Sequence, residues 1–150
     1  MIAGGVHVKL KKSLKDQYVS QVGFVLLETL IGRKNSEKSA EKFLQTATLA
    51  TLACLGLGVA YIILNVETFN FLSFLSNLYL FAFITLFAVC SFITKYAKKK
   101  LDKAEKEYEE LRYEIIDRQE ELWDTRERWQ KRHELFEWLA KEYDVNLFHK

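Results

Sequence analysis

Leu72-Ser-Phe-Leu-Ser-Asn-Leu-Tyr-Leu-Phe-Ala-Phe-Ile-Thr-Leu-Phe-Ala-Val-Cys-Ser-Phe-Ile-Thr94 contains no charged residue, and Lys95 follows it directly. The hydrocarbon of a bilayer is about 30 Å thick and a helix rises about 1.5 Å per residue, so about 20 such residues cross it. The stretch therefore predicts a transmembrane helix over about 72–94, made heavy by Phe74, Tyr79, Phe81, Phe83, Phe87 and Phe92. Working back, residues 43 to 66 are also uncharged and predict a first span over about 44–64. This one is lighter. Thr46, Thr48, Thr51, Gly56, Gly58 and Gln45 dilute its leucines, so its insertion is expected to be paired with that of its aromatic neighbour.

Between the spans, residues 65 to 71 hold one acid, Glu67, and no base, which makes the pair an antiparallel hairpin with a short outside connector. Arg33, Lys34, Lys38 and Lys42 precede the first span, and Lys95, Lys98, Lys99, Lys100 and Lys103 follow the second. Bases accumulate on the cytoplasmic side of membrane proteins. The chain is read as a multi-pass protein of the cell membrane with both termini cytoplasmic. Membrane lipid is then its first partner, and the five lysines after the second span are candidates to face anionic lipid at about 1 kcal/mol each. Ala53, Gly56 and Ala60 share a face of the first span, a spacing that lets another helix approach closely. The second span is expected to pack on that face, with dimerisation as the alternative.

The 150 residues are 49% apolar and 28% charged, and the charge is segregated from the apolar stretches. That pattern excludes a soluble single-core enzyme, and two cysteines exclude a disulfide-stapled module. A net charge of +2 gives no reason to expect a nucleic-acid partner. The start, Met1-Ile-Ala-Gly-Gly5, matches neither a myristoylation signal nor a cleaved signal peptide. Neither span carries the ionisable groups that mark ion pathways and proton relays. Cys54 and Cys90 fall at depths about 9 Å apart in a hairpin, too far to pair, and read as small buried hydrophobes. His7, His133 and His149 show no ligand spacing, and His133-Glu-Leu-Phe-Glu137 lacks the second histidine of a zinc-protease motif. No catalytic residue, cofactor or metal is expected, and the protein is read as nonenzymatic.

Ahead of the spans, Leu10, Leu14, Tyr18, Val22, Val25 and Leu26 recur at helical spacing behind Lys9, Lys11, Lys12 and Lys15. Residues 1–42 thus predict an amphipathic segment that docks on the tail or lies along the inner leaflet. Gly32 reads as a helix stop, and Asn35 or Ser36 as the cap of the helix that enters the membrane.

Residues 95–150 form a charged helical tail. Leu101, Tyr108, Ile115, Leu122, Trp129, Phe136 and Tyr143 recur every seven residues, but the partner positions Arg118, Thr125 and Arg132 break a coiled-coil seam. Asp124-Thr-Arg-Glu127 has capping-box spacing and predicts a break near Asp124, with one helix ending about Leu122 and another running from about Thr125 to Tyr143. Folding back as a hairpin would bring the aromatic stripes together. Asp102 with Lys106, Glu114 with Arg118, Glu127 with Lys131 and Glu137 with Lys141 are spaced to pair on the outer face.

Lys103-Ala-Glu-Lys-Glu-Tyr108, Leu111-Arg-Tyr-Glu-Ile-Ile116, Leu122-Trp123, Trp129 and Glu142-Tyr-Asp-Val-Asn-Leu-Phe148 resemble the YpbF-like membrane proteins of Bacillus and relatives. The resemblance covers about the last third of the chain and the two-span layout, and leaves residues 1 to 35 unassigned. It implies a small bacterial integral membrane protein with no catalytic residues to carry over. The resulting expectation is an all-α protein whose hairpin anchors a cytoplasmic helical module for self-association or recruitment of a membrane-protein partner, with Trp123, Trp129, Phe136 and Trp138 as the contact surface. An oligomeric pore lined by Thr46, Thr48 and Thr51, or another membrane-perturbing effector, is the alternative.

Overall fold

The structure, a computed structural model, describes residues 18–65 and 77–148. Among these residues every regular element is helical: α1 (Gln21–Leu64), α2 (Leu78–Asp117), the single turn α3 (Gln119–Leu122) and α4 (Arg126–Tyr143). The absence of proline leaves nothing to interrupt two helices of 44 and 40 residues. Residues 1–17, 66–76 and 149–150 lie outside the description. With them go the lysines and leucines of the expected amphipathic start, most of the connector, the first residues of the second span, His7 and His149.

The described helices contribute to two compact units, one made of the chain up to Lys38 together with Asp102 onward, the other of Ser39–Leu101. In the second unit the buried positions of α1 are Ala40, Ala47 and Cys54, seven residues apart, with Thr51, Gly58 and Tyr61 half-buried beside them. On α2 the matching positions are Leu80 and Ala97, with Phe83, Cys90 and Thr94 half-buried. This seven-residue spacing is that of an antiparallel helix pair packed side chain into gap. The Thr51 and Thr94 hydroxyls meet across it at 2.9 Å. Asn77 opens α2 by accepting from the backbone N–H groups of Tyr79 and Leu80, at 3.1 and 3.3 Å.

The first unit has the core of a small helical bundle. Val19, Leu27, Leu30 and Ile31 cluster with Tyr108, Leu111, Ile115, Leu122, Trp123, Leu135, Phe136, Leu139, Val145 and Leu147, all nearly inaccessible. The tail therefore folds back on itself. The Ser20 N–H donates to the Leu122 carbonyl at 3.2 Å, which ties the entry of α1 to the break. Gly23 lies against this junction, where an added Cβ would run into Val19 and approach the Leu122 Cβ.

Two sequence-based expectations about helix ends are corrected. Gly32 does not stop a helix: α1 passes through it, and the Ser36 hydroxyl, expected to cap, donates to the Gly32 carbonyl at 3.1 Å inside that helix. A mid-helix glycine costs about 1 kcal/mol relative to alanine, which burial of Leu27, Leu30 and Ile31 outweighs. At the tail break the cap is Thr125 rather than Asp124. Its hydroxyl accepts from the Arg128 N–H at 3.3 Å, while Asp124 instead pairs with the Arg128 guanidinium at 2.7 Å. The break also has two parts, because α2 already ends at Asp117 and α3 intervenes before Trp123.

Candidate functional site

In the Ser39–Leu101 unit, the chemistry on offer is almost wholly apolar. Leu49, Leu52, Leu57, Ile63, Leu64, Leu78, Ile84, Leu86 and Phe92 all stand outward, and most of their surface is exposed. Ala53, Gly56 and Ala60 are exposed with them, and a Cβ built on Gly56 meets nothing within 4 Å. The expectation that α2 packs on this face is corrected: α2 packs on the face of Ala47, Thr51 and Cys54, two small residues and a hydroxyl that also permit close approach. Toward the connector the pair opens into an apolar cavity of about 300 Å³ between Cys54, Gly58, Tyr61, Leu80, Phe83 and Phe87. Tyr61 holds its rim, with its ring centroid 5.8 Å from that of Phe83 and its hydroxyl accepting from the Asn77 amide at 3.1 Å. Cys54 and Cys90 are both free thiols.

At the other end of this unit Lys95, Lys98, Lys99 and Lys100 are exposed, and the Lys100 ammonium lies 5.8 Å from the centre of the Phe43 ring. Lys103, which belongs to the other unit, pairs with Glu107 at 3.6 Å. The threonine hydroxyls bond backward, Thr46 to the Lys42 carbonyl, Thr51 to that of Ala47 and Thr85 to that of Phe81.

The four aromatics proposed as a contact surface differ in burial. Trp123 and Phe136 are 2% exposed and meet edge to face at 5.3 Å, so they are core and cannot touch a partner. Trp138 is half-buried and packs on Tyr143 at 5.3 Å. Trp129 alone of the four is exposed, and the Arg132 guanidinium stacks 3.5 Å from its ring centre. Both line a half-polar cleft of about 350 Å³ with Gln119, His133, Leu147 and Phe148. Large aromatics are required by both a core and an interface, so spacing alone does not separate them. His133 makes the one-turn pair with Glu137 at 3.6 Å, and Glu114 that with Arg118 at 3.0 Å.

A polar cluster missed by the sequence reading closes the bundle. The half-buried Lys34 ammonium pairs with Glu37 at 2.9 Å, lies 3.9 Å from Asp144 and sits 4.6 Å from the centre of the Tyr108 ring. Burial alone would lower its pKa, but the hydrogen bond and charge of Glu37, helped by Tyr108 and Asp144, hold it above the usual lysine value. Burial raises the Tyr108 phenol. Asp144 ends α4 in the left-handed conformation, φ 62°, turning the chain so that Val145 and Leu147 enter the core. The Arg112 guanidinium fixes that return by donating to the Asn146 carbonyl at 2.6 Å. The lysine and glutamate three apart were a readable signal, whereas an aspartate in this conformation leaves little trace. Among the described residues no group of three or more His, Cys, Asp or Glu side chains is placed to hold a metal ion.

Comparison with known proteins returns descriptions without an enzymatic activity. A family described as "Protein of unknown function (DUF2663)" matches residues 26–150, which takes in far more of the chain than the tail motifs alone. The "Uncharacterized protein YpbF" of Bacillus subtilis (strain 168) is 31% identical over 137 residues, covering 89% of this chain and 92% of that protein. No solved structure matches. On this coverage and identity, the chain belongs to the DUF2663 family and is a YpbF-like protein.

Proposed function

We propose that this protein is a nonenzymatic membrane anchor for a helical module: the apolar parts of α1 and α2 cross a bilayer as a hairpin, and the bundle of α3, α4 and the adjoining helix ends lies in the cytoplasm. The observation that carries this reading is the outward apolar surface. Of the most apolar 18-residue stretch of each helix, only 11% in α1 and 6% in α2 is buried within the chain. The core helix of a soluble protein would bury most of such a stretch, and continuous apolar surface of this extent is not left to water. Lipid covers it instead. The lysines around Lys95 and the bases before the first span then hold both ends on the cytoplasmic side.

The module serves self-association or recruitment of a membrane-protein partner, and Trp129 with Arg132 is the contact that the core has not consumed. The hydroxyls of Thr46 and Thr51 are spent on their own helix and on Thr94, which favours an anchor over a pore. Full-length protein carrying reporters at either end is expected to remain with membranes after alkaline washing and to report both ends from the cytoplasm. A chain that stays in solution without detergent, or reporters on opposite sides, would overturn the reading. Trp129→Ala is expected to weaken association measured by energy transfer between labelled copies or between protein and partner.

A further inference from the structure

One side of α2 carries a groove of about 290 Å³ lined by Ile84, Phe87, Ala88, Ser91, Phe92 and Lys95. These positions follow at helical intervals, so the groove runs along the helix axis. From Ile84 to Lys95 it extends about 16 Å at about 1.5 Å per residue, close to the hydrocarbon depth of one leaflet, about half of 30 Å. Its wall is carbon apart from Ser91, and Lys95 closes one end with Lys98 and Lys99 in the next turn, all three exposed. Among the described residues no carboxylate lies within ion-pair distance of these three lysines. Farther along the helix the pattern changes, and Lys103 and Lys106 pair with Glu107 and Glu110 at 3.6 and 3.8 Å.

We propose that this groove seats one anionic phospholipid, with an acyl chain along Phe92, Ala88 and Ile84 and its phosphate at Lys95, Lys98 and Lys99. The proposal rests on the membrane reading above. Length and apolarity select a lipid chain, and three uncompensated ammonium groups select a headgroup with net negative charge over one that carries its own cation.

The test uses full-length protein reconstituted in phosphatidylcholine vesicles with a trace of spin-labelled phosphatidylglycerol or spin-labelled phosphatidylcholine. The labelled phosphatidylglycerol is expected to be immobilised on the order of tenfold more than the labelled phosphatidylcholine, and Lys95→Gln to cut that preference about fivefold. Ala88→Phe, which fills the groove and leaves every lysine in place, is expected to abolish it. Lys106→Gln should leave it unchanged. Ser91→Leu fills the same groove and replaces Ala88→Phe if that variant loses helicity by circular dichroism. Equal immobilisation of the two lipids, a groove-filled variant that keeps the preference, or displacement of the lipid by inorganic phosphate would overturn the proposal. A protein that enters neutral vesicles without preference loses only the lipid site, whereas one that never enters them loses the membrane reading itself.

Discussion

Leu139 is fully buried in the core cluster that also holds Ile115 and Leu30, whereas Trp129 on the same helix is 37% exposed. The larger side chain is therefore the cheaper one to lose. Leu139→Ala is expected to cost about 2 to 5 kcal/mol and Trp129→Ala less than about 1 kcal/mol, measured by denaturant unfolding in detergent followed through helical circular dichroism. Equal losses would mean that Trp129 is core. Lys34 and Tyr108 hold their protons more tightly folded than unfolded. A raised folded pKa gives stability that is complete below the unfolded value and lost as pH rises through the folded one. Stability is thus expected to be level in this respect through neutral pH and to fall above about pH 10. Tyr108→Phe should blunt that fall, and pH-dependent melting of the two proteins checks it.

At the scale of the element, helix ends depend on single side chains. Thr125→Ala removes the cap of α4 and is expected to cost about 1 kcal/mol, while Asp124→Ala breaks an exposed ion pair worth less than about 1 kcal/mol. Comparing the two melting temperatures decides between Thr125 and Asp124 as the cap. Asp144→Gly relieves the left-handed strain and is expected to leave stability unchanged or higher, whereas Asp144→Val is expected to lower it by at least about 1 kcal/mol. The seven-residue recurrence of Tyr108 and Ile115 was legible in the sequence because a buried stripe on one helix needs that repeat, whereas Leu122 and Phe136 fall on the later helices α3 and α4 and reach the same core only through the fold-back. The fate of Gly32 was not, since its local preference is small beside the burial of Leu27, Leu30 and Ile31 on the same helix, which only the folded bundle completes. For the same reason Gly56 and Ala60 drew attention by their four-residue spacing, although the closer packing uses Ala40, Ala47 and Cys54 seven apart. Trp123 and Trp129 are alike in the sequence and separate only once α4 folds back.

For the whole molecule, the deciding variable is the solvent around the outward face of the hairpin. Leu57 is 63% exposed near the middle of the first apolar stretch. With lipid outside, Leu57→Lys is expected to cost about 3 kcal/mol of insertion and to shift protein out of the membrane fraction. With water outside, it would be harmless or would improve solubility, so fractionation of this one variant separates the two environments. The bundle adds a consequence for biogenesis. The Tyr18 hydroxyl donates to Glu134, 116 positions later, and the core around Leu30 is sealed by Val145 and Leu147. Contacts so distant along the chain form late in folding. On the reading proposed here, the ribosome will have delivered both spans to the insertion machinery before the residues that seal the bundle emerge. During that interval the early leucines lack their permanent neighbours.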